Sequence, residues 1–135
     1  MIPPFDEHGN LLPGIHPATL EEIAARFGRE SELRRAQMES LQWLVDLARQ
    51  AGIMRLVING SFVTDTPEPN DVDCVLLIGS DFPRDATAEQ ELDQGLPFLQ
   101  LDLVEHEGFD EFVGIVYATD RDWIPKGMVE VILWT

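Results

Sequence analysis

The chain has 135 residues, 44% of them hydrophobic and 8% aromatic, which fits one folded domain around a single core and excludes a disordered chain. Nine basic residues against twenty-five acidic ones leave a formal net charge of −16. Such a surface repels DNA, RNA and anionic membranes, whose binding proteins place Lys and Arg on phosphates, so no direct nucleic-acid partner is expected. The acid is concentrated downstream: residues 1–50 hold five basic and eight acidic residues, residues 51–135 four and seventeen. A basic protein is the partner this charge favours, and a homo-oligomer is compatible with it. No apolar run approaches the ~20 residues of a membrane span, and the opening MIPPFDEHGN lacks the basic-then-apolar pattern of a secretion signal. With Cys74 alone no internal disulfide forms, which points to a reducing cytoplasmic setting.

Residues 1–17 carry four prolines and two glycines among the apolar anchors Ile2, Phe5, Leu11, Leu12 and Ile15. That mixture predicts an extended arm packed on the domain or on a neighbouring chain, with residues 18–135 as the single domain. His8 and His16 lie in the arm without a nearby cysteine and read as surface or packing residues. Thr19 caps a short helix with Glu21 and Glu22 in its first turn and an apolar stripe of Leu20, Ile23, Ala24 and Phe27, ended by Gly28. Ser31 caps a longer helix to about Gln50. Its buried face is Leu33, Gln37, Leu41, Leu44, Val45 and Ala48, while Arg34, Arg35 and Arg49 lie off that stripe and read as solvated.

The first predicted strand, Met54–Asn59, stops at Gly60-Ser61. The nine residues Phe62–Asn70 begin as a short helical turn and become a loop at Pro67 and Pro69. A second strand, Val72–Ile78, opens beside Asp71 and Asp73. Residues two apart on a strand share a face, so the two carboxylates project together and repel unless a cation stands between them. Hard oxygen ligands of this kind suit Mg2+. Gly60 and Ser61, with backbone N–H groups and a hydroxyl near the same sheet end, suit a phosphate. Cys74 reads as a small core residue.

A turn at Gly79–Arg84 precedes a modest helix, begun at Asp85-Ala86-Thr87 and running from Ala88 to about Gln94, closed by Gly95 and Pro97. Phe98–Val104 then alternates like a third strand. Asp102 sits inside its apolar run, where a lone ionised carboxylate is costly and needs a partner or a metal. EHEGFDEF reads as an acidic turn, FVGIVYATD as either helix or strand, and Met128–Trp134 as a last strand. Trp123 and Trp134 read as packing aromatics. The fold expected is α/β (α+β): a small mixed sheet of about four strands packed on the two N-terminal helices.

Gly60-Ser61, the nine-residue spacer and Asp71-Val72-Asp73-Cys74 together resemble the signature of the polymerase-beta-type nucleotidyltransferase superfamily. In words, that signature is hydrophobic-Gly-Ser, a spacer, then Asp-hydrophobic-Asp-hydrophobic. Leu101-Asp102-Leu103 resembles the strand carrying the superfamily's third carboxylate. The resemblance implies two Mg2+ ions held by Asp71, Asp73 and Asp102, an NTP substrate such as ATP contacted by Gly60 and Ser61, and transfer of an NMP to a hydroxyl with release of pyrophosphate. Arg121 or Lys126 is a further candidate for a phosphate contact that no motif anchors. Members of this small size typically act with a partner, often in a bacterial toxin–antitoxin or phage-defence pair. This chain departs from the pattern in having Phe62, Val63 and Thr64 after Gly-Ser, and Asn70 before the first aspartate. The alternative is a nucleotidyltransferase fold without catalysis, an acidic module for a basic protein.

Overall fold

The computed structural model describes residues 1–116, 119 and 123–134. Arg121 therefore lies outside the described residues, as does most of the TDR stretch before Trp123.

Thr19 caps α1 (Leu20–Phe27) through a reciprocal pair: its hydroxyl accepts the Glu22 N–H, and the Glu22 carboxylate accepts the Thr19 N–H. Two otherwise orphaned donors are satisfied this way. Ser31 caps α2 (Glu32–Ala51) on the Arg34 N–H, and Gly52 ends it. Five strands follow the order β1-β5-β2-β3-β4: β1 (Gly14–Ala18), β2 (Arg55–Asn59), β3 (Val72–Leu77), β4 (Leu99–Val104) and β5 (Gly127–Val131). β2 and β3 are antiparallel, as are β2 and β5, while β1–β5 and β3–β4 are parallel. α3 (Ala86–Gln94), capped by Asp85 on the N–H groups of Thr87 and Ala88, forms the crossover between β3 and β4, as a parallel pair requires.

The mixed α/β class stands, with one strand more than expected. The extra strand, β1, is the end of the proline-rich arm, which pairs with β5 as an edge. An edge strand accommodates Pro17 because only one of its sides needs donors. The arm is also more deeply seated than a docked tail, with Leu11 fully buried. Downstream, the acidic EHEGFDEF stretch is not a turn: His106–Glu111 form α4, which seats Phe109 in a small cluster with Val57, Val75, Leu77 and Met128. Phe112–Val116 continue it as a π-helical turn. The last strand ends at Val131, earlier than predicted, because the chain leaves the sheet. Trp134 then donates its indole N–H to the Ile53 carbonyl, whereas Trp123 is 83% exposed and does not pack.

One face of the sheet is closed. Leu56, Ile58, Cys74, Leu76, Val129 and Val131 bury against Ile23, Phe27, Leu41, Leu44, Val45, Ala48 and Leu92 of the helices. By strand alternation the residues between them, Arg55, Val57, Asn59, Asp73, Val75 and Asp102, face the other side. Among the described residues that second face is covered only in part, by α4 and the turn after it. The acidic residues of interest lie there.

Candidate functional site

Asn59 pairs with Asp73 across β2 and β3, and Asp102 on β4 pairs with Val75. Asp73, Asn59 and Asp102 therefore share the partly open face, Asp102 lying one strand over and one same-face position along. Asp71 precedes β3 and is exposed. The chain after β2 turns at Gly60, whose φ of 85° and ψ of −166° belong to a region essentially restricted to glycine. A side chain at this position would also run into the Asp73 carboxylate. The lack of a Cβ thus lets the backbone of the Gly-Ser turn lie directly against Asp73. Ser61–Val63 form the short helical turn expected from the sequence, with Phe62 and Val63 pointing into the core.

The loop that returns from this turn to Asp71 is held from behind by α2, through a residue misjudged from the helical pattern. Arg34 is 2% exposed rather than solvated. Its guanidinium donates to the carbonyls of Phe27, Phe62, Thr64 and Thr66 at 3.0, 2.8, 3.0 and 2.6 Å. Gln37, also buried, donates to the Pro69 carbonyl at 2.6 Å. Proline-rich loops offer carbonyls but few N–H groups, so a multidentate donor is the natural partner for them. Burial pushes the Arg34 pKa down, against the pull of Glu30 and Asp65. Periodicity alone cannot separate such a buried arginine from a solvated one.

The Gly-Ser turn and Asp73 open onto a cleft of about 410 Å3. Its near wall is Gly60, Ser61, Thr64, Asp65, Thr66 and Asp73, and Lys126, on the approach to β5, also lines it. His8 and Asn10, from the arm, complete the lining. The arm residues were missed as site residues, although Asp6-x-x-Gly9-Asn10 is a turn signal that brings them together. A second hollow of about 490 Å3 lies at the other end of β3 and β4, lined by Ile78, Gly79, Ser80, Glu105, His106 and Glu107. It includes no residue of the Gly-Ser or Asp-x-Asp motifs, so the first cleft is the better candidate on chemistry despite its slightly smaller volume.

Electrostatics mark Asp73 as the strained member. Burial first, then the charges of Asp71 and Asp102, push its pKa above the ordinary aspartate value, while Lys126 pulls it back. Asp71 and Asp102 thus both lie within electrostatic reach of Asp73, as does the Lys126 cation. Asn59 is 2% exposed, and its side-chain oxygen has no hydrogen-bond partner among the described residues. Cys74 is fully buried on the opposite face, and burial pushes its thiol far above the usual range, which makes it inert as a nucleophile.

As the side chains stand, no three His, Cys, Asp or Glu residues among the described ones are grouped closely enough to enclose a metal ion. The donor set around Asp73 fits a cation of another kind. Mg2+ is commonly held by one or two carboxylates together with waters and substrate phosphates, not by a complete protein cage. A half-buried carboxylate with two like charges near it and a glycine-lined cleft in front matches that arrangement.

No helix among the described residues is long and apolar enough to cross a membrane. No curated protein and no solved structure matches the chain. Residues 3–132 match the model of the family described as "Family of unknown function (DUF6932)", and the chain belongs to that family.

Proposed function

We propose that the chain is a Mg2+-dependent nucleotidyltransferase of the polymerase-beta type, moving an NMP from an NTP to a hydroxyl on a protein or other acceptor. The observation that carries the reading is the contact of Gly60 with Asp73 at a cleft, with Asp71 and Asp102 within electrostatic reach of Asp73. Two motifs separated by nine residues in the chain, one suited to phosphate and one to a divalent cation, meet at one place. The order of β2, the Gly-Ser turn, β3, α3 and β4, with a mixed sheet, supports the same reading.

In this reading Asp71 and Asp73 hold Mg2+, and Asp102 stands on the side of the attacking hydroxyl. The chemistry that Mg2+ held there would supply is polarisation of the phosphates and a lowered pKa for that hydroxyl. The hydroxyl oxygen forms a bond to the α-phosphorus, its proton passes to the Asp102 carboxylate, and the bond to the bridging oxygen breaks. Pyrophosphate leaves with the electron pair. Ser61 and the backbone of the Gly60 turn donate to the phosphate oxygens, where fixed donors are most effective. Lys126 offsets part of the negative charge. The setting that accompanies the reading is a bacterial toxin–antitoxin or defence pair, with a basic protein as partner or acceptor.

The test is label transfer from NTPs to proteins of a cell lysate in the presence of Mg2+. Transfer is expected from the wild type and lost in Asp71→Ala and Asp73→Ala; transfer that survives in both would sink the assignment. The acidic surplus of nine basic against twenty-five acidic residues supports a second reading, a non-catalytic module whose acidic surface docks a basic protein. That reading predicts partner binding with no Mg2+-dependent nucleotide binding.

A further inference from the structure

A triphosphate carries more charge than the Gly-Ser turn alone can meet, and the side chains that follow Ser61 do not help. Phe62 and Val63 are 0% and 1% exposed, committed to the core. The Thr64 hydroxyl bonds the Ser61 carbonyl at 2.7 Å and the Thr66 hydroxyl at 2.8 Å. Besides Lys126, further phosphate donors come from another part of the chain, since His8 and Asn10 also line the cleft.

The turn that carries them is built before any ligand arrives. The Asp6 carboxylate accepts the backbone N–H groups of His8 and Asn10 at 2.8 and 3.1 Å, and the Asp6 N–H donates to the Asn10 carbonyl at 2.7 Å. Gly9 adopts a φ of 77°, and a side chain there would collide with the Asp65 carboxylate. Its carbonyl instead accepts the Asp65 N–H at 3.0 Å, tying the turn to the far end of the Gly-Ser loop. On either side the turn is anchored, by Phe5 packed 6.1 Å from Phe27 and by fully buried Leu11. A donor held in place in advance loses little entropy on binding, which is how a few groups make an effective anion site.

We propose that this N-terminal turn completes the phosphate site, with the His8 imidazole and the Asn10 amide donating to the terminal phosphates of the nucleotide. The proposal rests on the nucleotidyltransferase reading and adds to the Gly-Ser turn two residues some fifty positions earlier in the chain. Hydrogen bonds to a charged phosphate fall among the stronger ones.

The experiment is calorimetric binding of inorganic tripolyphosphate, and of non-hydrolysable analogues of the four NTPs, each with Mg2+. His8 is the safe position to vary because its side chain is 45% exposed. His8→Ala is expected to weaken tripolyphosphate and nucleotide about tenfold alike, with His8→Gln recovering part of the loss. Asn10→Asp, which turns a donor into an acceptor at constant shape, is expected to weaken both further; thermal melts report whether each variant is folded. Unchanged affinity in His8→Ala overturns the proposal and leaves the enzyme reading standing. A loss for nucleotide without a loss for tripolyphosphate also overturns it, by placing His8 on the base or sugar. If the wild type binds none of the probes, the enzyme reading itself falls, and the proposal with it.

Discussion

On the helix-covered face of the sheet Leu56, Ile58, Cys74, Leu76 and Val129 are apolar and fully buried, and three helices close over them. On the other face Asn59, Asp73 and Asp102 sit among Val57, Val75 and Leu77, with α4 covering only part of the surface. Both faces belong to the same strands, so backbone geometry does not separate them. Cover does. Where helices exclude water, side chains are chosen to fill space and contribute stability in proportion to the area they bury. Where the sheet stays partly open, charged groups crowd together at a cost, and such crowding is typical of places where a ligand later neutralises it. One residue bridges the two regimes: Arg34 reaches from the helix layer round to the carbonyls of the site loop.

Breaking that bridge has the largest expected effect. Arg34→Met keeps the aliphatic bulk but leaves carbonyls of Phe27, Phe62, Thr64 and Thr66 without their donor, at a cost of about 3 kcal/mol or more. Chemical denaturation measures it, and a loss below about 1 kcal/mol would show that water replaces the guanidinium. Next comes Gly60→Ala, strained at a φ of 85° and driven against the Asp73 carboxylate. About 2 kcal/mol of stability is expected to go, together with Mg2+–nucleotide binding, followed by denaturation and calorimetry on the same sample.

Asp73→Asn sharpens the contrast because its sign is opposite. Burial and the like charges of Asp71 and Asp102 raise the Asp73 pKa in the folded chain, so folding favours the protonated form. That contribution is complete below the ordinary carboxylate range and is lost as pH rises through the folded-state pKa. The asparagine variant never acquires the charge. Its stability should therefore gain on the wild type as pH climbs through and above about 4, reaching about 1 kcal/mol at neutral pH once water's screening of a half-exposed group is counted. Parallel unfolding curves at acid and neutral pH check this; an equal gap at both would show that Asp73 is not strained by charge. Label transfer should vanish in the same variant.

The smallest effect belongs to Glu130→Gln on the same face. Arg55 donates to both Glu130 oxygens at 2.8 and 2.6 Å and stacks over Phe109, but the side chains are 41% and 23% exposed. Loss of about 0.5 to 1 kcal/mol is expected, with no change in nucleotide binding. A change in binding would mean that the far end of this face communicates with the cleft.

How much of this was legible from residues alone follows from how local each signal is. The caps at Thr19, Ser31 and Asp85 and the helices behind them were predictable because a cap and its helix lie within one turn. The strands β2, β3 and β4 followed from their apolar patterning, and the short helical turn from the residues after Gly-Ser, whereas the common face of Asp73 and Asp102 came only from the register of β3 with β4. The arm misled because proline predicts irregular backbone and carries no information about an edge position beside β5. EHEGFDEF looked like a turn because its acids hide the single apolar anchor, Phe109, that fixes α4 on the sheet.

The sequence by itself determined the local elements, the acidic surplus, and the presence of a Gly-Ser turn and an Asp-x-Asp pair at a fixed spacing. These depend on neighbours along the chain, whose geometry is set by a few dihedral preferences. Only the tertiary structure decided that Gly60 lies against Asp73, that Arg34 is buried rather than solvated, and that His8 and Asn10 line the cleft. Those facts depend on which distant surfaces exclude water from one another, and that is settled by the packing of the whole domain.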